Sequence, residues 1–119
     1  MSDVFRMDAA QSGDRVELIL GGPLDSQGSV SLKEEGRSRL RSGTRVLVID
    51  CSSVTFISSS GVGSLLVLQD EYEDAEGLAC FRSPSPEVRS VIRLMDLERI
   101  LNVVSDEEEI RTLLTGQAV

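Results

Sequence analysis

Histidine is absent from this sequence of 119 residues, and only two cysteines are present. The chain therefore lacks the residue that most often serves as a general base and as a ligand for transition metals. Two cysteines alone do not complete a four-ligand zinc site. The nucleophile elbow of a serine hydrolase is also missing, because it requires a histidine in the chain and a glycine two residues before the serine. These absences predict that the protein is not an enzyme and binds no cofactor or metal.

Long apolar runs are missing as well. No stretch approaches the ~18 to 20 consecutive apolar residues of a membrane-spanning helix, and the sequence does not open with the charged and then apolar segments of a signal peptide. We therefore expect a soluble, cytoplasmic protein without membrane insertion. Cys51 and Cys80 both lie in apolar segments, so we expect reduced, buried thiols. A disulfide between them is the alternative that the sequence alone leaves open.

Aromatic and basic residues are also scarce. Aromatic residues make up 3% of the sequence and hydrophobic residues 40%, which predicts an aliphatic core. Asp and Glu number 20 against 12 Lys and Arg, for a net charge of −8. Nucleic acids and anionic membranes select positive surfaces, so neither is expected as a partner. The acidic run at residues 70–74 is interpreted as a solvated helix face, with a docking patch for a basic partner as the alternative.

Short apolar or alternating runs, bounded by turn residues, predict five β-strands. The predicted strands lie at residues 4–9, 15–20, 45–51, 78–81 and 100–104. The first two strands are separated by turn residues at 11–14 and are predicted to form a hairpin. Residues 21–25, which include two glycines and a proline, are predicted to end the second strand.

Helical periodicity and capping residues predict four helices. The first covers about residues 27–41, and the second follows a serine cluster and ends in the acidic run. Ser85 is the predicted N-cap of the third helix, with Pro86 at its first position. A capping box at Ser105 and Glu108 predicts the start of the fourth. The apolar positions expected to face the core are Leu32, Leu40, Val62, Leu65, Leu66, Val88, Val91, Ile92, Met95, Ile110, Leu113 and Leu114.

The order of these elements, β-β-α-β-α-β-α-β-α, predicts the architecture. Strands that alternate with helices pair in parallel, because each connection crosses back over the sheet. The opening hairpin adds one antiparallel strand. The sequence contains no linker, internal repeat or low-complexity tract. We therefore predict a single α/β domain over residues 1–119, with a mixed, mostly parallel sheet of about five strands and about four helices.

A cluster of small residues separates the third predicted strand from the second helix. The cluster consists of Ser58, Ser59, Ser60, Gly61, Val62 and Gly63. We predict that it is a loop leading into the first helical turn. One serine is sufficient as an N-cap, which stabilises a helix by ~1 kcal/mol, whereas each glycine inside a helix costs ~0.8 to 1 kcal/mol relative to alanine. A sequence selected only for stability would not combine three serines with two glycines here.

Phosphate-binding motifs do not explain the two glycines. A dinucleotide fingerprint would need a third glycine at the position of Leu66, and the Gly-Lys-Ser/Thr of a P-loop is absent. Glycine does allow another backbone or protein surface to approach closely, and local departures from stability often mark functional sites. We therefore interpret the cluster as a docking site for a protein partner.

Two stretches resemble STAS domains, in particular bacterial anti-sigma factor antagonists. They are Gly22-Pro23-Leu24-Asp25, after the second strand, and residues 48–63, VIDCSSVTFISSSGVG. The resemblance extends to the order of strands and helices and covers nearly the whole chain. It implies a compact α/β domain that binds an anti-sigma factor of the histidine-kinase-like ATPase type. This binding releases the sigma factor that the anti-sigma factor held.

The resemblance also implies a phosphorylation site. In the family the kinase phosphorylates the first serine of Asp-Ser-Ser/Thr-Gly, and a metal-dependent phosphatase removes the phosphate. The matching acceptor in this sequence is Ser59, and Ser58 takes the place of the family's aspartate. The resemblance further implies a partner-binding surface made of Asp25, Ser58, Ser60, Gly61, Val62 and Gly63.

A second interpretation of the same resemblance needs no phosphate. The chain would then be a STAS-like interaction module of a stress-signalling scaffold or of a transporter accessory complex. The start of the second helix would serve as a docking face or a small-ligand site.

Overall fold

The first two strands form the predicted antiparallel hairpin. A computed structural model describes residues 3–116 of the chain. Strand β1 (Arg6–Ser12) pairs with β2 (Arg15–Leu24) through a turn in which Gly13 has φ 61°. Glycine adopts this left-handed conformation without steric cost. Strand β1 begins two residues later than predicted, because residues 3–5 lie outside the ladder.

Strand β2 does not end at its glycines and proline, so the prediction of a break over residues 21–25 was wrong. The strand continues to Leu24 through two irregularities in its register with the neighbouring strand. Gly22 lies at one of them with φ 78°, and a side chain there would clash with the carbonyl group of Val4. Glycine at a β-bulge lets a strand bend and continue instead of ending.

Three further strands run parallel to β2 and complete the sheet. They are β3 (Val46–Ile57), β4 (Leu78–Arg82) and β5 (Val103–Val104). The sheet order is β1-β2-β3-β4-β5, with only the β1–β2 pair antiparallel. Strand β3 is longer than predicted and β5 shorter. The prediction of a five-stranded, mixed and mostly parallel sheet is confirmed.

The structure has the four predicted helices, of which three connect strands and the fourth follows β5. They are α1 (Ser26–Arg41), α2 (Ser59–Asp74), α3 (Pro86–Leu94) and α4 (Glu107–Gly116). Ser85 caps α3 as expected, because its side chain accepts a hydrogen bond from the amide of Val88. No helix within residues 3–116 is long and apolar enough to cross a membrane.

Different helices cover the two faces of the sheet, the second face only in part, since Ile19 of β2 is exposed there. Alternate residues of a strand point to opposite faces, so Leu47 and Ile49 of β3 join a core with α1, α2 and α3, whereas Val48 joins a smaller core with Ile110 of α4. The larger core also contains Tyr72, whose hydroxyl donates to the carbonyl of Gly36 at 2.7 Å and links α2 to α1. The core is mainly aliphatic, as the composition predicts.

The two cysteines are free and buried, which confirms the prediction of reduced core thiols. They belong to different cores: Cys51 lies in the larger one and Cys80 in the one beneath α4. Burial raises the pKa of the Cys51 thiol to about 12 and that of Cys80 to about 11. Neither thiol is therefore available as a nucleophile near neutral pH.

Several predictions at helix ends were wrong. Met95 and Leu114 were expected in the core, but their exposed fractions are 46% and 47%. The cap of α4 is Asp106 instead of Ser105: its carboxylate accepts from the amide of Glu109, and the Glu109 carboxylate accepts from the amide of Ser105. The cap thus lies one residue later than predicted, and the Glu109 carboxylate reaches the residue before the cap instead of the cap's own amide.

The acidic run at residues 70–74 is only partly the solvated face that was predicted. Glu71 accepts hydrogen bonds from Arg37 of α1 at 2.8 and 2.9 Å, and this guanidinium group lowers the pKa of the carboxyl group. The neighbouring Tyr72 is fully buried, whereas the other three residues of the run are exposed. The run therefore contributes to packing between α1 and α2.

Candidate functional site

Strands β2 and β3 end side by side at the carboxyl edge of the sheet. Leu24 pairs with Ile57 at the ends of the two strands. Asp25 follows β2 and is the N-cap of α1, and Ser58 follows β3 and is the N-cap of α2. Parallel strands bring such ends together at one edge, where ligands bind in open α/β sheets. The structure therefore places the two sequence-predicted segments, Asp25 and residues 58–63, next to each other.

Asp25 caps α1 and is half-buried. Its carboxylate accepts a hydrogen bond from the amide of Gly28 at 2.9 Å, and its carbonyl accepts from the amide of Ser29 at 2.8 Å. An ionised N-cap also interacts favourably with the positive end of the helix dipole. Asp25 therefore supplies a fixed negative charge beside the start of α2.

Ser58 caps α2 and ties it to the preceding strand. Its hydroxyl oxygen accepts from the amide of Gly61 at 3.0 Å and donates to the carbonyl of Leu24 at 3.3 Å. Its own amide donates to the same carbonyl at 3.0 Å. Helix α2 thus begins at Ser59, directly after the cap. The predicted loop into the first helical turn is shorter than expected, because the capping serine closes the junction, and Ser59 lies at the start of α2 as predicted.

Ser59 and Ser60 occupy the first turn of α2, and both are exposed. Within residues 3–116 their hydroxyl groups form no hydrogen bond, whereas those of Ser58 and Ser64 do. The first amides of a helix have no partner inside the helix. The turn therefore combines free hydroxyl groups with backbone donors that favour an anion.

The two glycines of the cluster have different surroundings. A Cβ atom on Gly61 would lie 2.6 Å from the Leu24 carbonyl oxygen and 2.8 Å from Cγ1 of Ile57, so this glycine is required by the chain's own packing. A Cβ atom on Gly63 would meet nothing within 4 Å. Val62 is buried in the core, with an exposed fraction of 1%. The surface open to a partner is therefore formed by Ser59, Ser60 and Gly63.

One exposed apolar residue at this edge was not singled out from the sequence. Phe56 lies two residues before the α2 cap, and 53% of its surface is exposed. Its neighbour Ile57 is buried, as expected for adjacent residues of a strand. Phe56 follows the buried Val54 by two residues, so strict strand alternation would bury it, and no signal in the sequence indicated its exposure. Phe56 adds an apolar contact to a surface that is otherwise polar.

The site carries no catalytic constellation. Among the described residues no three His, Cys, Asp or Glu side chains are grouped as metal ligands. Within residues 3–116 the hydroxyl groups of Ser59 and Ser60 have no hydrogen-bonded base that could activate them as nucleophiles. The arrangement can present an exposed surface to a partner and carry an anion on the first turn of α2.

Comparison with solved structures shows which proteins share this fold. The unphosphorylated anti-sigma factor antagonist SpoIIAA superposes with a TM-score of 0.75 at 24% identity, over 95% of this chain and 97% of that one. The phosphorylated form of the Bacillus cell fate determinant SpoIIAA gives 0.69 at 22% identity, over 92% and 99%. An anti-sigma factor antagonist from Mycobacterium paratuberculosis gives 0.76 at 19% identity, over 93% and 94%. These likenesses establish the fold.

A family match covers most of the sequence. The family described as "Mlab, STAS domain" matches residues 7–104. The match extends from β1 to the end of β5 and includes both helix caps at the carboxyl edge of the sheet. The resemblance stated from the sequence is confirmed at the level of the family. The chain belongs to the STAS domain family.

Proposed function

We propose that this protein is an anti-sigma factor antagonist that binds an anti-sigma factor of the histidine-kinase-like ATPase type. Phosphorylation of Ser59 switches the binding off, and a metal-dependent serine phosphatase restores it. The observation that carries the proposal is the free, exposed hydroxyl group of Ser59 on the first turn of α2, beside the Asp25 cap. The solved relatives of the same fold that are anti-sigma factor antagonists support it.

Ser59 is a better acceptor than its neighbour Ser58. The Ser58 hydroxyl group both accepts and donates a hydrogen bond in the cap, so its phosphorylation would break the start of α2. The Ser59 hydroxyl group forms no hydrogen bond within the described residues, so its modification leaves the cap intact. The solved phosphorylated form of a similar protein supports a phosphate within this fold. Ser60 is also exposed and serves as the internal comparison.

The physical effect of the phosphate falls on the partner and not on the fold. A phosphoserine carries about −1.5 to −2 charges at neutral pH. On the first turn of α2 it meets unpaired amides and the positive end of the helix dipole. A partner seated over Ser59, Ser60 and Gly63 would have to desolvate that anion, which is costly without a matching positive group. Phosphorylation therefore weakens binding while the domain stays folded.

Phosphate transfer gives the direct test of the proposal. The protein is incubated with a candidate kinase-like ATPase, ATP and magnesium, and the modified residue is mapped by mass spectrometry. Ser59→Ala should bind the kinase but take no phosphate, whereas the matched control Ser60→Ala should be phosphorylated normally. A phosphate mapped to Ser60, or to a residue outside α2, would contradict the assignment.

A charged substitution separates a binding switch from an unfolding switch. Ser59→Asp should keep the thermal midpoint of the wild type within a few degrees, because acidic residues are favourable in a first helical turn. Its affinity for the kinase should fall by at least about tenfold, which corresponds to ~1.4 kcal/mol. Loss of the thermal midpoint together with the affinity would mean that Ser59 has a structural role.

One observation favours a second candidate, a STAS interaction module that docks without being phosphorylated. Position 58 holds a neutral capping serine where the phosphorylated family pattern has aspartate, so the acceptor lacks an adjacent carboxylate. The same incubation distinguishes the two functions. A stable complex with a partner and no phosphate transfer would favour the second candidate.

A further inference from the structure

Helix α4 rests on the sheet through a narrow contact. Of its residues only Ile110 is fully buried, and Leu113, one turn later, is half-buried against the same smaller core. The third apolar residue of the helix, Leu114, is exposed. A helix this short is marginal in water on its own and depends on packing for its stability. Two side chains therefore supply most of the apolar packing that holds α4 in place.

Two open grooves run alongside α4. One groove, of about 350 Å³, is lined by Leu113 and Leu114 and by Glu73 and Glu76 near the end of α2. The other, of about 390 Å³, lies between Leu113 and the strand segment at residues 101–104. Solvent therefore reaches the half-buried leucine from two directions, and the helix is not wedged between neighbouring elements.

A single ion pair connects the side chains of α4 to the sheet. Within residues 3–116, Arg15 of β2 contacts Glu107 at 2.6 Å, and no other side chain of α4 is hydrogen-bonded to another helix or strand. Glu107 is 53% exposed, and ion pairs with such exposure contribute little to stability. Arg15 also contacts Glu17 at 2.9 Å. Detachment of α4 therefore leaves the arginine with a partner.

The chain is firmly attached to the sheet just before α4. The amide of Ser83 donates to the carbonyl of Val104 at 2.9 Å. The side-chain amide of Asn102 donates to the carbonyl of Ala79 at 3.1 Å. Residues 105–106, which are exposed, connect this anchored strand to the helix. These two residues are therefore the point at which α4 can swing away while β5 stays paired.

The domain keeps its larger core when α4 detaches. No residue of α4 belongs to that core, and α1 and α2, whose caps are Asp25 and Ser58, pack on it. Detachment uncovers only the smaller core. Its residues on the sheet are Val48, Leu78, Cys80 and Val104. Segments with few buried apolar contacts open at a lower free energy than the whole domain.

We propose that α4 is a lid that opens about residues 105–106 while the rest of the domain stays folded. In the closed form Ile110 and Leu113 cover an apolar surface of β3, β4 and β5, and in the open form that surface is exposed. The surface around Ser59 is present in both forms, because the caps that shape it belong to helices of the larger core. The lid thus controls a second surface separately from Ser59. The inference does not depend on the proposed function.

The two cysteines report on the two events, because Cys80 lies beneath α4 and Cys51 lies in the larger core. The full-length wild type is labelled with iodoacetamide at about pH 8, where unfolded thiols react. Cleavage after glutamate separates the two cysteines for mass spectrometry. Each rate is divided by that of the same thiol in the urea-unfolded protein. The corrected rate of Cys80 should exceed that of Cys51 by at least about tenfold. Equal corrected rates would show that α4 opens only when the whole domain unfolds, and would overturn the proposal.

Substitutions in the two cores identify α4 as the part that moves. Ile110→Ala removes the main contact of the lid and should raise the Cys80 rate by at least about tenfold. The matched control Leu114→Ala shortens an exposed side chain of the same helix and should leave that rate within about twofold of the wild type. An unchanged Cys80 rate in Ile110→Ala, or an equal rise in both variants, would contradict the lid.

A mild change in the larger core completes the test without preventing folding. Ile49→Val should raise the Cys51 rate by roughly two- to tenfold, because it destabilises the folded domain relative to the unfolded chain. It should leave the Cys80 rate within about twofold, because Ile49 stays buried when only α4 opens. A parallel rise at both cysteines would mean that the two thiols become accessible in one event, which the proposed lid does not allow.

Discussion

Gly61 and Gly63 look alike in the sequence but have different roles in the structure. The space beside Gly61 is filled by the Leu24 carbonyl oxygen and the Ile57 side chain, whereas the space beside Gly63 is open. Gly61 thus allows the end of β2 to pack against the first turn of α2. Gly63 has no such packing role within the described residues, and we propose that it allows a partner to approach closely.

Alanine substitutions should therefore change stability in opposite directions at the two glycines. Gly61→Ala should lower the free energy of unfolding by ~1 to 3 kcal/mol, because the new methyl group overpacks a backbone carbonyl that cannot move freely. Gly63→Ala should raise it by ~0.5 to 1 kcal/mol, because alanine is the better helix former and the space is empty. Urea denaturation measures both. Equal destabilisation by the two substitutions would show that Gly63 is also packed.

Gly63→Ala also tests whether this glycine serves a partner. If close approach requires it, the more stable variant should bind the kinase less tightly than the wild type. Increased stability combined with reduced binding is the pattern expected of a residue kept for function at a cost in stability. Unchanged affinity would show that a partner does not need a glycine at this position.

At the scale of the elements, α2 is held at its start by a single side chain. Ser58 is the only one of the three consecutive serines whose hydroxyl group forms hydrogen bonds in the described chain, and it connects α2 to β2 as well as capping it. The other two serines lie inside the helix and point to solvent. The element needs one serine, and the remaining two are free for other roles.

Alanine substitutions at the three serines should show which of them stabilises the fold. Ser58→Ala should lower the free energy of unfolding by ~1 to 2 kcal/mol, because it removes the acceptor for the Gly61 amide. Ser59→Ala and Ser60→Ala should change it by less than ~0.5 kcal/mol, as for surface positions without partners. Thermal and urea denaturation give these values. A Ser59→Ala variant as unstable as Ser58→Ala would move the cap to Ser59 and remove the support for Ser59 as a free acceptor.

Local patterns predicted the elements well and their ends less well. The caps at Ser85 and the hairpin turn at Gly13 follow from local chemistry, and both were found as expected. The extension of β2 past Gly22 depends on β3 and on the carbonyl of Val4, which lie far away in sequence. Met95 is exposed for a similar reason. Helix α3 ends at Leu94, so the chain leaves the helix before Met95, the last of its predicted apolar positions, can contact the core.

The candidate site shows the same limit. The sequence indicated residues 58–63 as a candidate site through their composition, and the family resemblance added Asp25. It could not show that Gly61 and Val62 are buried by the chain's own core, because that depends on how β2 packs against α2. Phe56 was missed for the opposite reason: an aromatic residue in a strand is usually buried, and only the register of β3 exposes it.

At the scale of the whole molecule, a charged network joins three strands to the last helix. Arg15 contacts Glu107 of α4 at 2.6 Å and Glu17 of β2 at 2.9 Å. Arg82 of β4 contacts Glu17 at 2.9 Å and Asp50 of β3 at 3.3 Å. The side chains are partly shielded from water, with exposed fractions of 18% to 30% for all but Glu107. Networks of this kind couple elements that are distant in sequence.

The network makes stability depend on pH in a defined direction. Hydrogen bonds from Arg82 and Arg15 lower the pKa values of Glu17 and Glu107. Burial alone would raise the pKa of Asp50, but hydrogen bonds from Ser52 and Arg82 outweigh it and lower that pKa too. A carboxyl group with a lowered pKa in the folded state binds fewer protons there than in the unfolded state. Its contribution is present above the unfolded pKa and is lost as the pH falls through the folded one.

Urea denaturation at a series of pH values should therefore give an unfolding free energy that is flat near neutrality and falls below about pH 4.5, the ordinary range of these carboxyl groups. Glu17→Gln should reduce the size of that fall, because the substitution removes the carboxylate that both arginines contact. Glu34→Gln is the matched control, since Glu34 is exposed on α1 and forms no ion pair within residues 3–116. If the acid-induced loss were the same in Glu17→Gln as in Glu34→Gln, the network would not be what couples stability to pH.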